Sequence, residues 1–282
     1  MESLDFTKPS QSPIYDPVAA TAFFEAAGVT EDVAPGTTIF TESQQQSFFS
    51  VNDRMYLLHD GAVVLSVGHR AIDTVSPGEI FGEMATITHT PRSATAVAKT
   101  PCRVIALDGT QFLKAIRKTP GFALMMMSIM IDRLRLTLAR LAMRKALPED
   151  DGDELRVFDD ATLDQIADEL GNPVLMRFAA GQPIINAGEA GVLMYLPREG
   201  RVAIMTDGRT LEHVGAGGVF GEMTLVDRTT RAASAIAETD CSLMTVNRQQ
   251  FLELVQTNPA FGLSLLKLIA LRLRAATMRL SN

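Results

Sequence analysis

The chain has 282 residues, 46% of them hydrophobic and 21% charged, which is enough for two medium domains with their own cores. A formal charge of −7 supplies no basic field for nucleic acid or anionic lipid, and two cysteines build neither a disulfide framework nor a zinc set. Met-Glu-Ser-Leu-Asp is no signal peptide, and the apolar runs near Leu124–Ile131 and Leu263–Leu273 are broken by Asp132 and by Lys267 and Arg272, so a reduced, cytoplasmic protein without a membrane span is expected.

In chain order, residues 1–20, with "KPSQSPIYDP", read as a flexible N-terminal tail. Short β-rich runs follow ("AVVLSV", "AIDTV"), punctuated by Gly, Asp and Pro, as in a β-sandwich or jelly roll. The run "CRVIAL" leads into a helical pattern, "TQFLKAIRKTP", and then a longer one from about Gly121 to Leu147. The acidic stretch 148–158 reads as a linker, separating a domain at 21–147 from a second at 159–282. The second domain opens on the amphipathic "ATLDQIADEL", repeats the β-rich runs ("RVAIM", "LEHV", "CSLMTV"), and ends in "RQQFLELVQTNP" and a helix from about Ala260 to Leu280. The fold class is therefore mainly β with flanking helices (α+β), each β domain being followed by long C-terminal helices.

The two halves are one domain written twice. Met55-Tyr56-Leu57 pairs with Met194-Tyr195-Leu196, and the same 139-residue register carries Phe81-Gly82-Glu83-Met84 onto Phe220-Gly221-Glu222-Met223, Cys102 onto Cys241, and Arg133-Leu134-Arg135 onto Arg272-Leu273-Arg274. Upstream of Met55 the register slips by six, Gly36 matching Gly181, and the first copy carries an extra "SQQQSFFSVN" of the kind that belongs in a loop. Both cysteines fall in apolar strands at equivalent positions, which marks buried thiols rather than reactive ones.

The repeated "FGEM" carries the chemistry. Gly78 and Gly82 permit a turn whose successive N–H groups point outward together, an anion site. Nine residues after Glu83 and Glu222 stand Arg92 and Arg231, whose forks can each hold a phosphate by charge-assisted bonds of about 1.5–3 kcal/mol. A carboxylate beside a phosphate site needs another task, such as accepting a sugar hydroxyl. Glutamate, arginine and exposed amides together point to a phosphorylated sugar, hence a nucleotide.

The cassettes "FGEMATITHTPRSAT" and "FGEMTLVDRTTRAAS", with their preceding glycines and trailing helices, closely resemble the cyclic nucleotide-binding domain family, over nearly everything after residue 20. The resemblance implies two tandem eight-stranded β-rolls. It implies that Glu83 and Glu222 hold the ribose 2′-OH and that Arg92 and Arg231 hold the exocyclic phosphate oxygens. Gly82, Met84, Ala85, Ser93 and Ala94 would complete the first cradle, and Gly221, Met223, Thr224, Ala232 and Ala233 the second. Three positions depart from the family pattern. Thr224 replaces a small alanine, Ser93 follows the arginine where many cyclic-AMP sites have alanine, and the base-contacting Thr-Ser pair of catabolite-activator-like proteins becomes Thr137-Leu138, with Ala276-Thr277 in the second copy.

No nucleophile elbow, P-loop or paired catalytic acid is present, so an enzyme is not expected, and His59, His69, His89 and His213 lack metal-ligand spacing. The stripe Leu124, Met127, Met130, Ile131, Leu134, Leu138, Leu141 reads as core packing or as a homodimer helix, not a cofactor box. The cluster Arg133, Arg135, Arg140, Arg144, Lys145 reads as a solvated helix face, a DNA- or RNA-binding role being disfavoured by the acidic pI. No winged helix follows the second copy and no Arg-Arg-x-Ser precedes the first, so neither a self-contained transcription factor nor a pseudosubstrate kinase inhibitor is expected. The expected function is a receptor for cyclic AMP or cyclic GMP, needing no cofactor, that acts on an unidentified effector protein. The alternative is a nucleotide-insensitive scaffold built on degenerate copies.

Overall fold

The computed structural model describes residues 14–43, 54–68, 70–143, 154–171 and 173–280. The first thirteen residues, 44–53 with most of the insertion, His69, Arg144, Lys145 and 148–153 of the linker lie outside it. The chain enters on α1 (Pro17–Ala27), where Pro17 fixes the first turn and the Asp16 carboxylate accepts from the amides of Val18 and Ala19 at 2.9 and 3.3 Å. Residues 17–20, expected in the tail, are thus helical: a cap and a proline at the first helical position outweigh a Pro/Ser-rich composition.

Repeat one then runs β1 (Val29–Val33), β2 (Thr38–Phe40), β3 (Arg54–Asp60), β4 (Val63–Val67), β5 (Arg70–Val75), β6 (Ile80–Phe81), α2 (Glu83–Thr88), β7 (Thr95–Ala98), β8 (Cys102–Asp108), α3 (Gly109–Lys118) and α4 (Phe122–Met143). Its strands form two antiparallel sheets, β1-β8-β3-β6 and β2-β7-β4-β5. Repeat two follows with α5 (Asp160–Glu169), β9 (Leu175–Phe178), β10 (Pro183–Ile185), β11 (Leu193–Glu199), β12 (Val202–Thr206), β13 (Arg209–Val214), α6 (Met223–Asp227), β14 (Ser234–Ala237), β15 (Cys241–Asn247), α7 (Arg248–Thr257) and α8 (Pro259–Leu280). Its sheets are β10-β14-β12-β13 and β11-β15-β9. Among the described residues repeat one has eight strands and repeat two has seven. Where β3 and β6 pair Tyr56 with Phe81, repeat two keeps only a single bridge between the equivalent Tyr195 and Phe220.

The duplication extends to the irregularities. Register breaks fall between Leu58 and Asp60 and between Pro197 and Glu199, and again between Leu65 and Ser66 and between Ile204 and Met205. A third pair, Thr38/Phe40 and Pro183/Ile185, carries the six-residue slip. Such bulges bend the strand and fix its register, so both sheets curve at equivalent points. The helices α3 and α7 start alike, Asp108 with Gln111 and Asn247 with Gln250 closing reciprocal capping boxes.

Each repeat closes over its own core. In repeat one Phe40, Tyr56 and Phe81 stack, with centroids 5.2–6.1 Å apart, over Val63, Val104 and Ala106. In repeat two Tyr195 stacks on Phe220 at 5.0 Å, and Ile185 takes the place of Phe40. Cys102 and Cys241 are buried free thiols, and burial pushes the Cys241 thiol up.

By compactness the chain divides into two units, one containing residues up to Asp132 together with those from Ile269, the other Arg133–Leu268. Both divisions fall inside a long helix. The boundaries expected at 147 and 159 assign each helix to the repeat that encodes it. Packing instead assigns the last turns of α4 to the unit holding repeat two, and those of α8 to the unit holding repeat one.

The root of α4 is fixed by Phe122, stacked face to face on Phe23 at 3.6 Å and 4% exposed. Replacing Phe122 by alanine is expected to cost about 3–5 kcal/mol in chemical denaturation followed by circular dichroism. In native protein at neutral pH, Cys241 is expected to resist iodoacetamide over hours, read by mass spectrometry, and to react on unfolding.

Candidate functional site

In repeat one the turn after β6 needs Gly82, whose φ of 75° is left-handed and where a Cβ would stand 3.0 Å from both the Arg92 guanidinium and the Phe40 ring. Gly221 does the same in repeat two, at φ 80° and 2.8 Å from Arg231 Nη1. Glycine is required twice over, by backbone conformation and by the close approach of an arginine. Each turn delivers a glutamate at the start of a short helix: Glu83 is 3% exposed and Glu222 1%.

The arginines are equally buried, Arg92 at 3% and Arg231 at 8% exposure. Arg92 Nη1 donates to the Gly82 carbonyl and Nη2 to the Arg54 carbonyl, both at 2.7 Å, while the guanidinium lies 4.4 Å from the Phe40 ring centroid. Arg231 repeats the pattern, Nη1 donating to the Gly221 carbonyl at 2.7 Å and Nη2 to the Leu193 carbonyl at 2.6 Å. Main-chain carbonyls thus orient each fork within its cassette. Burial pulls the Arg231 guanidinium below its ordinary value, and the neighbouring Tyr195 and Glu222 pull the other way. The Tyr56 and Tyr195 phenols are pushed up by burial, with Arg92 and Arg231 respectively opposing.

The structure brings Gly82, Glu83, Met84, Ala85 and Arg92 into one turn-and-helix unit, with Ser93 and Ala94 leading into β7. Gly221, Glu222, Met223, Thr224 and Arg231 form its counterpart, followed by Ala232 and Ala233. Thr137 is buried and belongs to the compact unit of the second cassette, whereas Thr277 belongs to that of the first. His89 is exposed and ends α2 in a left-handed conformation. Arg135, expected on a solvated face, instead pairs with the buried Asp227 carboxylate at 2.6 Å: a charge at the end of α6 recruits it.

Two contacts of the second cassette go beyond the motif, although Thr224 already departs from the family pattern there. The Thr224 hydroxyl accepts from Arg231 Nη1 at 3.0 Å, where the equivalent Ala85 has nothing to offer. Gly191 lies flat on the same guanidinium, since a Cβ there would stand 2.3 Å from Arg231 Nε and 2.5 Å from the Thr224 hydroxyl. The amide of Arg231 donates to the Glu189 carbonyl at 2.8 Å, which ties this loop to the cassette. The carbonyls of Arg54 and Leu193 were invisible, because every residue has one.

A buried glutamate and a buried arginine gathered at one glycine turn can hold a sugar hydroxyl and a phosphate together. The sequence profile described as "Cyclic nucleotide-binding domain" matches residues 30–119 and 175–258, taking in both cassettes. The chain belongs to the cyclic nucleotide-binding domain family. Among its relatives, the cAMP-dependent protein kinase regulatory subunit of Schizosaccharomyces pombe is 30% identical over 210 residues, covering 73% of this chain and 46% of the relative. That of Eremothecium gossypii is 28% identical, covering 79% and 43%. The Cyclic AMP receptor protein of Thermus thermophilus is 36% identical over 108 residues, covering 36% and 50%. The chain thus spans about half or less of the length of these curated relatives. Among the described residues, no single helix of this cyclic nucleotide-binding domain protein is long and apolar enough to cross a membrane.

Thr224→Ala removes a hydroxyl that competes for Arg231 and is expected to tighten ligand at the second cassette several-fold in calorimetric titration. Gly191→Ala is expected to displace the guanidinium and weaken that cassette.

Proposed function

We propose that the protein is a cytoplasmic receptor for a cyclic nucleotide, cyclic AMP first and cyclic GMP second, which transmits occupancy to an effector protein and catalyses nothing itself. The observation that carries this reading is the duplicated constellation of left-handed glycine, buried glutamate and backbone-anchored arginine (Gly82, Glu83, Arg92; Gly221, Glu222, Arg231) within both family-matched segments. Glu83 and Glu222 would accept the ribose 2′-OH, and Arg92 and Arg231 would hold the cyclic phosphate. Relatives named as cAMP-dependent protein kinase regulatory subunits make a protein kinase the first effector to test.

The occupied guanidinium of Arg231, with Thr224 and Gly191 against it, favours a second reading for repeat two alone: a weaker site, or a degenerate unit beside one working receptor domain.

Isothermal titration decides between these. Two binding events for cyclic AMP, the tighter weakened by Arg92→Ala and the weaker by Arg231→Ala, are the expected result. Each change should cost roughly ten- to a hundredfold in affinity, the worth of one charge-assisted bond at about 1.5–3 kcal/mol. Heat of binding that survives the double change would rule out the cassettes, and absence of heat with either nucleotide would leave the scaffold.

A further inference from the structure

Arg135 and Arg274 are equivalent residues of the duplication, and each lands on the cassette of the repeat that does not encode it. Arg135, on α4 of repeat one, donates from Nε to Asp227 Oδ2 at 2.6 Å. Asp227 ends α6 in the second cassette, its side chain 1% exposed, and accepts from the Thr229 amide and hydroxyl at 3.0 and 2.9 Å, two residues before Arg231. Arg274, on α8 of repeat two, donates from Nη1 to the Pro91 carbonyl, one residue before Arg92. Burial lowers the pKa of Arg274.

We propose that Arg135 and Arg274 are reciprocal latches that couple the two cassettes, an inference that rests on reading the cassettes as ligand sites. Each latch grips the short segment leading into a phosphate-holding arginine. Each sits past the midpoint of a helix whose root lies in the other repeat: Phe122 stacks on Phe23 at the start of α4, and Phe261 stacks on Phe158 at 5.6 Å at the start of α8. A helix of 22 residues is a stiff rod, so a shift of its root in one repeat is carried to the cassette of the other. Ligand that moves the segment before Arg92 works against the Arg274 bond and thus against the root of α8. The same holds for Arg231, Arg135 and α4. The effect is reciprocal by linkage. The latches differ in strength: Asp227 gives the second cassette an ionic bond, whereas the first, with Thr88 at the equivalent position, offers a neutral carbonyl.

The test begins without ligand, by hydrogen exchange on the full chain. Arg274→Gln is expected to raise exchange in residues 84–95 of repeat one and leave 223–233 unchanged, and Arg135→Gln to do the reverse. Arg→Lys at either site, keeping charge and a donor, should fall between and guards against a glutamine variant that unfolds. Loosening confined to the repeat that encodes the altered arginine, or spread evenly over both, overturns the latch. Coupling is then read by titrating cyclic AMP into wild type and Arg92→Ala. Affinity at the second cassette is expected to differ between them by roughly fivefold or more, and this difference should vanish in the Arg135→Gln background. A difference that persists in that background overturns the coupling. A wild type that takes up neither cyclic AMP nor cyclic GMP defeats the receptor reading, while the exchange experiment still decides the latch.

Discussion

The structure depends on one arrangement repeated: a guanidinium taken out of water and oriented by main-chain carbonyls. Burying a cation is costly, and a protein that does so must supply compensating groups in fixed places, main-chain dipoles among them. Here the dipoles come from the glycine turn and from the strand behind it: Gly82 and Arg54 for Arg92, Gly221 and Leu193 for Arg231. Much else follows. The turn has to be left-handed so that its carbonyl faces the arginine, β3 and β11 have to run past at hydrogen-bonding distance, and no side chain can stand on the turn itself. The roll positions two carbonyls around one cation in each repeat.

The same constraint explains why the copies are not interchangeable. With Ala85 beside it, Arg92 shares its fork with carbonyls and the face of Phe40. With Thr224 beside it, Arg231 also donates to a hydroxyl, and the Gly191 loop lies against the guanidinium. A single added oxygen thus gives the second guanidinium an acceptor that the alanine of the first copy does not provide.

Much of this was legible in the sequence because duplication turns weak signals into strong ones. One "FGEM" is a short string, but two in a register that also aligns Cys102 with Cys241 and Arg135 with Arg274 are a fold statement. The β-rich runs, the helical patterns that follow them and the nine-residue spacing of glutamate and arginine are all local in the chain. The remainder depends on distance in space. Carbonyl acceptors have no residue signature, so Arg54 and Leu193 went unseen. Pro17 was hidden by the composition around it. Arg135 looked solvated because its partner stands 92 residues away, and the last turns of α4 and α8 looked local because a helix pattern does not reveal which core it ends on.

The matching bulges carry a consequence for how the chain finds its fold. Because β4 and β12 break register at equivalent residues, as do β3 and β11, backbone geometry does not distinguish a strand from its counterpart in the other copy. Tandem copies of one architecture are prone to exchange such strands during folding. Discrimination then falls to side-chain volume. The three-ring stack of Phe40, Tyr56 and Phe81 has only two rings and Ile185 as its counterpart, so a strand bearing Phe40 overfills the second roll and one bearing Ile185 leaves a void in the first. The unequal cores act as a key that keeps each strand in its own barrel.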